Sequence, residues 1–154
     1  MTPHHSTSPP PHASDPRVAR VITFFEHLQA SDLPRMGEVY ASNATFKDPF
    51  NTVEGLHAVS TIFAHMFKRV QAPKFVVNDA ALQGDAAFLV WDFSCRMRTG
   101  KQEVFTIHGA SHLRFDAAGL VSYHRDYWDA AEEVYEKVPV LGAFMRLLKR
   151  RAAS

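Results

Sequence analysis

Three aspartates lie where acid/base chemistry could take place. Asp92 is in the middle of the apolar run Ala86–Cys95, Asp126 is near the end of the run Leu120–Trp128, and Asp48 precedes a proline. Carboxylates inside apolar strands are rare, because burial removes the hydration of the charge. A pair with one ionised and one protonated member can take up a proton and give one back. We therefore predict that Asp92 and Asp126 are catalytic and share a pocket, whereas Asp48 could equally close a turn before its proline.

Two turn signals predict how the strands around these residues pair. Thr99-Gly100 and the run Asp116–Gly119 separate three runs of an antiparallel meander, residues 86–95, 104–115 and 120–128. If Thr99-Gly100 is a two-residue turn, the numbers of opposed residues sum to 199 between the first two strands. Pairing Phe115 with Leu120 gives a sum of 235 between the second and the third.

In this register Asp92 and Asp126 would share one face of the sheet. Val90 faces Gly109 across the first pair of strands, and Gly109 faces Asp126 across the second. The glycine leaves room between the two carboxylates where a side chain would otherwise lie. A slip of one residue would place the carboxylates on opposite faces.

The elements before the meander are mostly helical and predict an α+β fold. A helix begins at Pro16, a second short helix runs from Ser31 to about Tyr40, and a third follows Gly55 to about Val70. Strands are predicted over residues 44–48 and 74–82. Helices that mostly precede a run of antiparallel strands favour a curved sheet wrapped around them over a parallel α/β fold.

The composition limits the class of protein. The chain has 154 residues, 46% of them hydrophobic, and a formal net charge of +1, which suits one globular domain without nucleic-acid binding. The single cysteine, Cys95, excludes an intrachain disulfide and a multi-cysteine metal site. No phosphate loop, nucleotide fingerprint or zinc pattern is found, so we expect no cofactor and no metal. Without a signal pattern or an apolar run of ~20 residues, we expect a cytoplasmic protein.

The two ends of the chain differ from its centre. Residues 1–14 are polar and rich in proline, which predicts a disordered tail before a domain over residues 15–130. Residues 131–154 predict a helical extension broken by a proline, with basic residues at its end and the apolar stripe Val140, Leu141, Phe144, Met145 and Leu148. This helix could dock on the domain or on a partner subunit, or it could make weak contact with an anionic membrane.

Three motifs in this order resemble the nuclear transport factor 2-like (SnoaL-like) superfamily. They are Ala-Ser-Asp-Leu at 30–33, Ala-Thr-Phe-Lys-Asp-Pro-Phe at 44–50 and Tyr-His-Arg-Asp-Tyr-Trp-Asp at 123–129. The resemblance covers about residues 16–130. It implies a cone-shaped α+β fold, in which a curved antiparallel sheet wraps the N-terminal helices around an apolar pocket, often in a homodimer. The superfamily contains isomerases, cyclases, epoxide hydrolases, dehydratases and non-enzymatic binders, so the fold does not give the function.

The ketosteroid isomerase branch of the superfamily implies one set of roles. Asp48 matches its proton-shuttling base. Its two oxyanion donors match Phe24 and Ser111, and a phenyl ring cannot donate a hydrogen bond to a developing enolate. The acid/base carboxylate of the polyketide cyclases also falls near Ser111, so this chain lacks that group.

The limonene epoxide hydrolase branch implies another set. Asp126 matches its base on water, and Asp92 matches the aspartate that gives a proton to the epoxide oxygen. The arginine expected between them is Val90 here. The tyrosine and the asparagine that hold the water are Phe46 and Asp48.

The sequence therefore predicts a cofactor-free acid/base enzyme that acts on a small lipophilic molecule, by hydrating an epoxide or by moving a proton in an enone. Asp126 would be the base and Asp92 the acid, with Asp48 a second base or a water holder. The alternative is a non-catalytic domain that binds a small ligand or a protein partner, which the missing polar helpers favour. We expect a homodimer, with His108 and His112 facing away from the pocket. The pocket would be lined by Phe24, Phe46, Phe50, Phe63, Val90, Gly109, Ser111 and Trp128.

Overall fold

One six-stranded sheet forms the centre of the computed structural model, which describes residues 15–98, 103–133 and 150. The spatial order of the strands is β2-β1-β6-β5-β4-β3, and all neighbours are antiparallel except β1 and β6, which are parallel. Along the chain the elements are α1 (Pro16–Glu26), a 3₁₀ helix (Ala30–Glu38), β1 (Tyr40–Lys47), β2 (Thr52–Glu54), α2 (Leu56–Arg69), β3 (Val70–Gln83), β4 (Ala86–Met97), β5 (Val104–Phe115), β6 (Val121–Tyr127) and α3 (Ala130–Glu133).

This architecture confirms the predicted α+β class, with the N-terminal helices against a curved, unclosed sheet. The strand over residues 44–48 is longer than predicted and begins at Tyr40, and the short β2 was not predicted. The predicted tail over residues 1–14 and the amphipathic helix with its membrane contact over residues 140–148 lie outside the described residues. No helix within the described residues is long and apolar enough to cross a membrane.

The start of α1 follows from its sequence. Pro16 takes the first helical position, where a missing N–H costs nothing, and the side chain of Asp15 accepts a hydrogen bond from the backbone N–H of Arg17 at 2.9 Å. Val18, Val21 and Phe25 form the buried face of the helix. These side chains pack with those of α2 and the inner face of the sheet into one core.

The register between β4 and β5 differs from the prediction by one residue. Opposed numbers sum to 200, so Asp92 faces His108 and Trp91 faces Gly109. Because alternate side chains point to opposite faces, this slip moves Asp92 to the outer face of the sheet. The prediction that Asp92 shares a face with Asp126 is therefore wrong.

The register between β5 and β6 differs from the prediction by two residues. Ser111 faces Asp126, so opposed numbers sum to 237, and the register shifts between Arg114 and Phe115. The irregularity adds one residue, Ser122, to the β6 side of the pair. A shift of two keeps each side chain on its face, and Ser111 and Asp126 both point inward.

Gly109 makes room for an indole ring and not for a substrate. A Cβ placed at Gly109 would lie 2.6 Å from Cζ2 of Trp91, a distance that real Cβ atoms do not reach. Trp91, Leu89 and Phe93 are the buried inward side chains of β4. Its outward side chains Phe88 and Val90 are exposed within the described residues.

Candidate functional site

A small apolar cavity lies between the helices and the inner face of the sheet. Its volume, measured as the space open to the centre of a water molecule, is about 30 Å³, which is room for one or two waters. Among its lining residues Asp126 is the only carboxylate, and the others are Val21, Ile22, Phe25, Phe63, Phe75, Val77, Leu89, Trp91, Ser111, Leu113 and His124.

Two series of hydrogen bonds lie in the wall of this cavity, and both end at Asp126. Trp91 Nε1 donates to Ser111 Oγ at 2.8 Å, and Ser111 Oγ donates to Asp126 Oδ1 at 2.5 Å. From the other side, His124 Nε2 lies 2.6 Å from the same Oδ1, and the Tyr40 hydroxyl lies 2.6 Å from His124 Nδ1. Neighbouring strands position these groups, since Ser111 is opposite Asp126 on β5 and His124 is two residues before it on β6.

The protonation of Tyr40 decides the direction of these bonds. Burial, and then the charge of Asp126, hold the pKa of the Tyr40 hydroxyl well above its ordinary value. The hydroxyl therefore keeps its proton, and we assign it as the hydrogen-bond donor to Nδ1 of His124. The imidazole then carries its hydrogen on Nε2 and donates to Asp126. All four donors of the chain thus point towards one carboxylate.

The two oxygens of Asp126 have different surroundings. Both hydrogen bonds found within the described residues end at Oδ1, which leaves Oδ2 available to a molecule in the cavity. The Asp126 side chain is 17% exposed. It also lines a wider apolar mouth of about 140 Å³, together with Phe46, Phe63, Trp91 and Trp128. Asp126 therefore stands where the cavity opens towards solvent.

Asp48 lies at this mouth but is held in a turn. Its Oδ1 accepts hydrogen bonds from the backbone N–H groups of Phe50 and Asn51 at 2.8 and 2.6 Å. The Asn51 side-chain amide donates to both of its oxygens at 3.0 Å. This is the usual role of an aspartate before proline in a turn. Asp48 and Asp126 both line the mouth of the cavity, and the hydrogen bonds of Asp48 stabilise the loop between β1 and β2.

Asp92 lies away from the cavity, on the outer face. Its Oδ1 is 2.5 Å from His108 Nδ1. The hydrogen bond from His108, and then one from Asn78, lower the pKa of the Asp92 carboxyl. The structure therefore does not bring the three predicted aspartates together.

The predicted lining residues divide into two groups. Phe46, Phe63, Ser111 and Trp128 line the cavity or its mouth. Phe24 lines a separate surface cleft beside the 3₁₀ helix, because its neighbour Phe25 takes the inward position of α1. Phe50 is exposed and packs on Trp128, with ring centres 5.5 Å apart. Val90 points outward, and Gly109 is covered by Trp91.

His124 and Tyr40 belong to the site although the sequence reasoning gave them no role. The alternation of β6 already places His124 on the same face as Asp126, so that signal was available. Strand alternation does not predict a role for Tyr40. The sequence places this residue at the end of a helix, and its contact with His124 depends on the parallel pairing of β1 with β6. Among the described residues no group of three His, Cys, Asp or Glu side chains could hold a metal ion.

Comparison with known proteins agrees with the fold. A family model described as SnoaL-like domain matches residues 21–124. No curated protein matches the chain in sequence.

Solved structures of several kinds share the fold. A hypothetical protein from Catenulispora acidiphila with a ketosteroid isomerase-like fold, in complex with trimethylamine, is 16% identical over 77% of this chain and 89% of its own, with a TM-score of 0.67. An LEH-like epoxide hydrolase from M. tuberculosis is 16% identical over 76% and 85%, with a TM-score of 0.63. A putative SnoaL-like polyketide cyclase from Jannaschia sp. CCS1 is 13% identical over 75% and 87%, with a TM-score of 0.66. At these identities the likeness is one of fold, and this fold supports several activities.

Proposed function

Since the chain belongs to the SnoaL-like domain family, we propose that it is a cofactor-free proton-transfer enzyme for a small lipophilic molecule, with Asp126 as its base. One observation carries the proposal. Asp126 is the single carboxylate of the small cavity and also lines the wider mouth of about 140 Å³, which offers more room than the one or two waters of the inner cavity; Ser111 and His124 hold its Oδ1, and Oδ2 accepts no hydrogen bond from the described residues. A general base needs this combination of a fixed position and a free lone pair.

Movement of a proton within the substrate suits the site better than the opening of an epoxide. Epoxide opening needs a second group that gives a proton to the oxygen, and Asp92 is on the outer face of the sheet. In an isomerisation Asp126 takes a proton from carbon, and the electron pair of the broken C–H bond spreads into the neighbouring carbonyl to give a conjugated enolate. The proton held on Asp126 exchanges in part with water, and Asp126 then returns a proton, or a deuteron in labelled water, at another carbon. The donors Trp91, Ser111 and His124 are already directed along the chain to Asp126. A substrate that stabilises its own anion by conjugation therefore fits best.

The test is an incubation in water labelled with deuterium and heavy oxygen, followed by mass spectrometry. The purified protein is incubated with β,γ-unsaturated ketones and with lipophilic epoxides, and the variants Asp126→Asn and Asp92→Asn are treated in the same way. The second variant is a matched control, because it removes the same charge from the outer face. We expect deuterium in a ketone with the wild type and with Asp92→Asn, and none with Asp126→Asn.

Other outcomes contradict the proposal in different ways. Heavy oxygen in the product of an epoxide would make the protein a hydrolase. Equal labelling by Asp126→Asn and the wild type would remove Asp126 from the chemistry. Loss of labelling in both variants would show that it depends on the fold and not on the cavity.

A second function, the binding of a small lipophilic amine, is favoured by the aromatic wall around Asp126. Phe63, Phe75 and Trp91 line both the cavity and its wider mouth together with Asp126, and an ammonium group there can contact the ring faces and the negative charge. The Catenulispora neighbour is in complex with such an amine. Calorimetry with a trimethylammonium-type ligand and its neutral hydrocarbon analogue tests this function. Binding of the amine that Asp126→Asn abolishes, without label transfer to any ketone, would support a binding protein.

A further inference from the structure

The mouth of the cavity continues into a polar cleft beside the C-terminal half of α2. The cleft has a volume of about 210 Å³ and is lined by Asp48, Asn51, Ile62, His65, Met66 and Arg69. Asp48, Ile62 and Met66 also line the mouth that contains Asp126. The two spaces therefore share a wall, and a molecule whose apolar part lies in the mouth can extend into the cleft.

Along this wall the side chains of α2 change from apolar to basic. The helix contributes four residues at the spacing i, i+3, i+4 and i+7, which places them on one face: Ile62, His65, Met66 and Arg69. The two apolar side chains line both spaces, whereas His65 and Arg69 line only the cleft. Because a helix rises ~1.5 Å per residue, the first and the last of the four are ~10 Å apart along its axis. A molecule of this length can contact the apolar surface and the basic end together.

The guanidinium of Arg69 is available to a ligand. Among the described residues its side chain has no hydrogen bond, ion pair or ring contact. The end of α2 is bound by Arg98 instead, whose side chain donates to the carbonyl oxygen of Phe67 at 3.2 Å and whose backbone N–H donates to that of Arg69 at 3.1 Å. An arginine that no described carboxylate neutralises, beside an apolar space, favours an anionic ligand.

We propose that this cleft binds the carboxylate of a lipophilic acid whose apolar part lies in the mouth. The guanidinium of Arg69 presents N–H groups that match the two oxygens of a carboxylate, and His65 adds a further donor from the preceding turn. Asp48 limits the charge of the ligand. Both of its oxygens accept hydrogen bonds within its turn, but its negative charge disfavours a group that carries two charges. A carboxylate therefore fits better than a phosphate monoester.

The substrate class follows when this subsite is joined to Asp126, and this step rests on the proposed function. The substrate is then a β,γ-unsaturated ketone with a carboxylate at its far end. Arg69 binds the carboxylate, while Asp126 takes the proton from the carbon between the ketone and the double bond. The carboxylate itself takes no part in the proton transfer. It contributes equally to binding before and during the reaction, so its loss should raise KM and leave kcat nearly unchanged.

The first test measures binding by NMR titration with octanoate and with octanamide, its neutral analogue. We expect the wild type to bind octanoate more tightly. Arg69→Gln should raise the dissociation constant for octanoate about tenfold or more and change that for octanamide by less than about threefold. Lys68→Gln is the matched control, because Lys68 is the exposed cationic neighbour on α2 and does not line the cleft. The same spectra show whether each variant is folded.

Two results of this titration would overturn the proposal. One is a wild type that binds octanoate no better than octanamide. The other is an Arg69→Gln variant that weakens octanoate no more than Lys68→Gln does.

The second test separates the subsite from the proposed function. Deuterium transfer is measured with a β,γ-unsaturated ketone that has a terminal carboxylate, and with its methyl ester. Arg69→Gln should raise KM for the acid to the value for the ester. Equal KM values for acid and ester with the wild type would overturn the subsite and leave the proposed function in place. If the wild type labels neither compound but binds octanoate through Arg69, the subsite is supported and the proposed function is wrong.

Discussion

Replacement of Tyr40 by phenylalanine tests the donor chain around Asp126. The hydroxyl of Tyr40 is buried and lies 2.6 Å from Nδ1 of His124, which is itself buried. The substitution keeps the ring, which stacks on the imidazole at a centre distance of 5.9 Å, and removes the one donor. Because Nδ1 is then left in the core without its partner, the cost includes the desolvation of that nitrogen as well as the lost hydrogen bond.

We expect the free energy of unfolding to fall by about 1–3 kcal/mol. In a domain of this size each kcal/mol lowers the melting temperature by ~2–4 °C. The measurement is urea unfolding together with NMR spectra of the imidazole nitrogens, which report the tautomer of His124. Without the Tyr40 donor, Nδ1 loses its hydrogen bond and its NMR signal should shift, while Asp126 still holds the hydrogen on Nε2.

Tyr127→Phe provides the matched control. The Tyr127 side chain is half exposed, and the guanidinium of Arg125 lies 4.7 Å above its ring in a contact that phenylalanine keeps. Its unfolding free energy should change by no more than about 0.5 kcal/mol. A Tyr40→Phe variant that matches this control in stability, and whose His124 signals equal those of the wild type, would refute the assignment of Tyr40 as the hydrogen-bond donor to His124.

Three further predictions concern other parts of the fold. Gly109→Ala places a methyl group against the Trp91 ring and should cost about 1–3 kcal/mol; urea unfolding followed by tryptophan fluorescence measures it, and an added Trp91→Phe should recover part of the loss. The pKa of Asp92 is lowered in the folded state, chiefly by His108, so the stability that Asp92 adds over Asp92→Asn is present above its ordinary pKa of 3.8 and is lost as the pH falls through the lowered value; unfolding titrations from about pH 6 to about pH 2 check the sign, and a difference that grows on acidification would contradict it. Burial raises the pKa of the Cys95 thiol, so a thiol reagent should label this residue only in urea; rapid labelling of the native protein would show that the strand opens.

The sequence predicted the class of fold because its signals are local. The apolar stripe of α1, the glycine before α2 and the alternation of the last strands each depend on a few neighbouring residues. The pairing of strands does not, since it depends on the length of a turn. A two-residue turn at Thr99-Gly100 predicts a register that differs from the structure by one residue, and this difference places Asp92 and Val90 on the opposite face.

The site was predicted in part for the same reason. The error between β5 and β6 was two residues, an even number, so Ser111 and Asp126 kept the inward face. His124 needed only the period of a strand, whereas Tyr40 needed the parallel pairing of β1 with β6, which joins residues 84 positions apart. Contacts of that separation leave no mark in a single sequence.

The unequal surroundings of the two Asp126 oxygens have a consequence for the energy of proton uptake. In the proposed reaction, a proton from the substrate would attach to Oδ2 while Ser111 and His124 stay on Oδ1. No donor would have to turn and no hydrogen bond would have to break while the charge of the carboxylate is neutralised, so the reorganisation energy of the proposed step would be small. The wall of the cavity would then keep its shape in both charge states, and a molecule that fits before the proton moves would also fit afterwards.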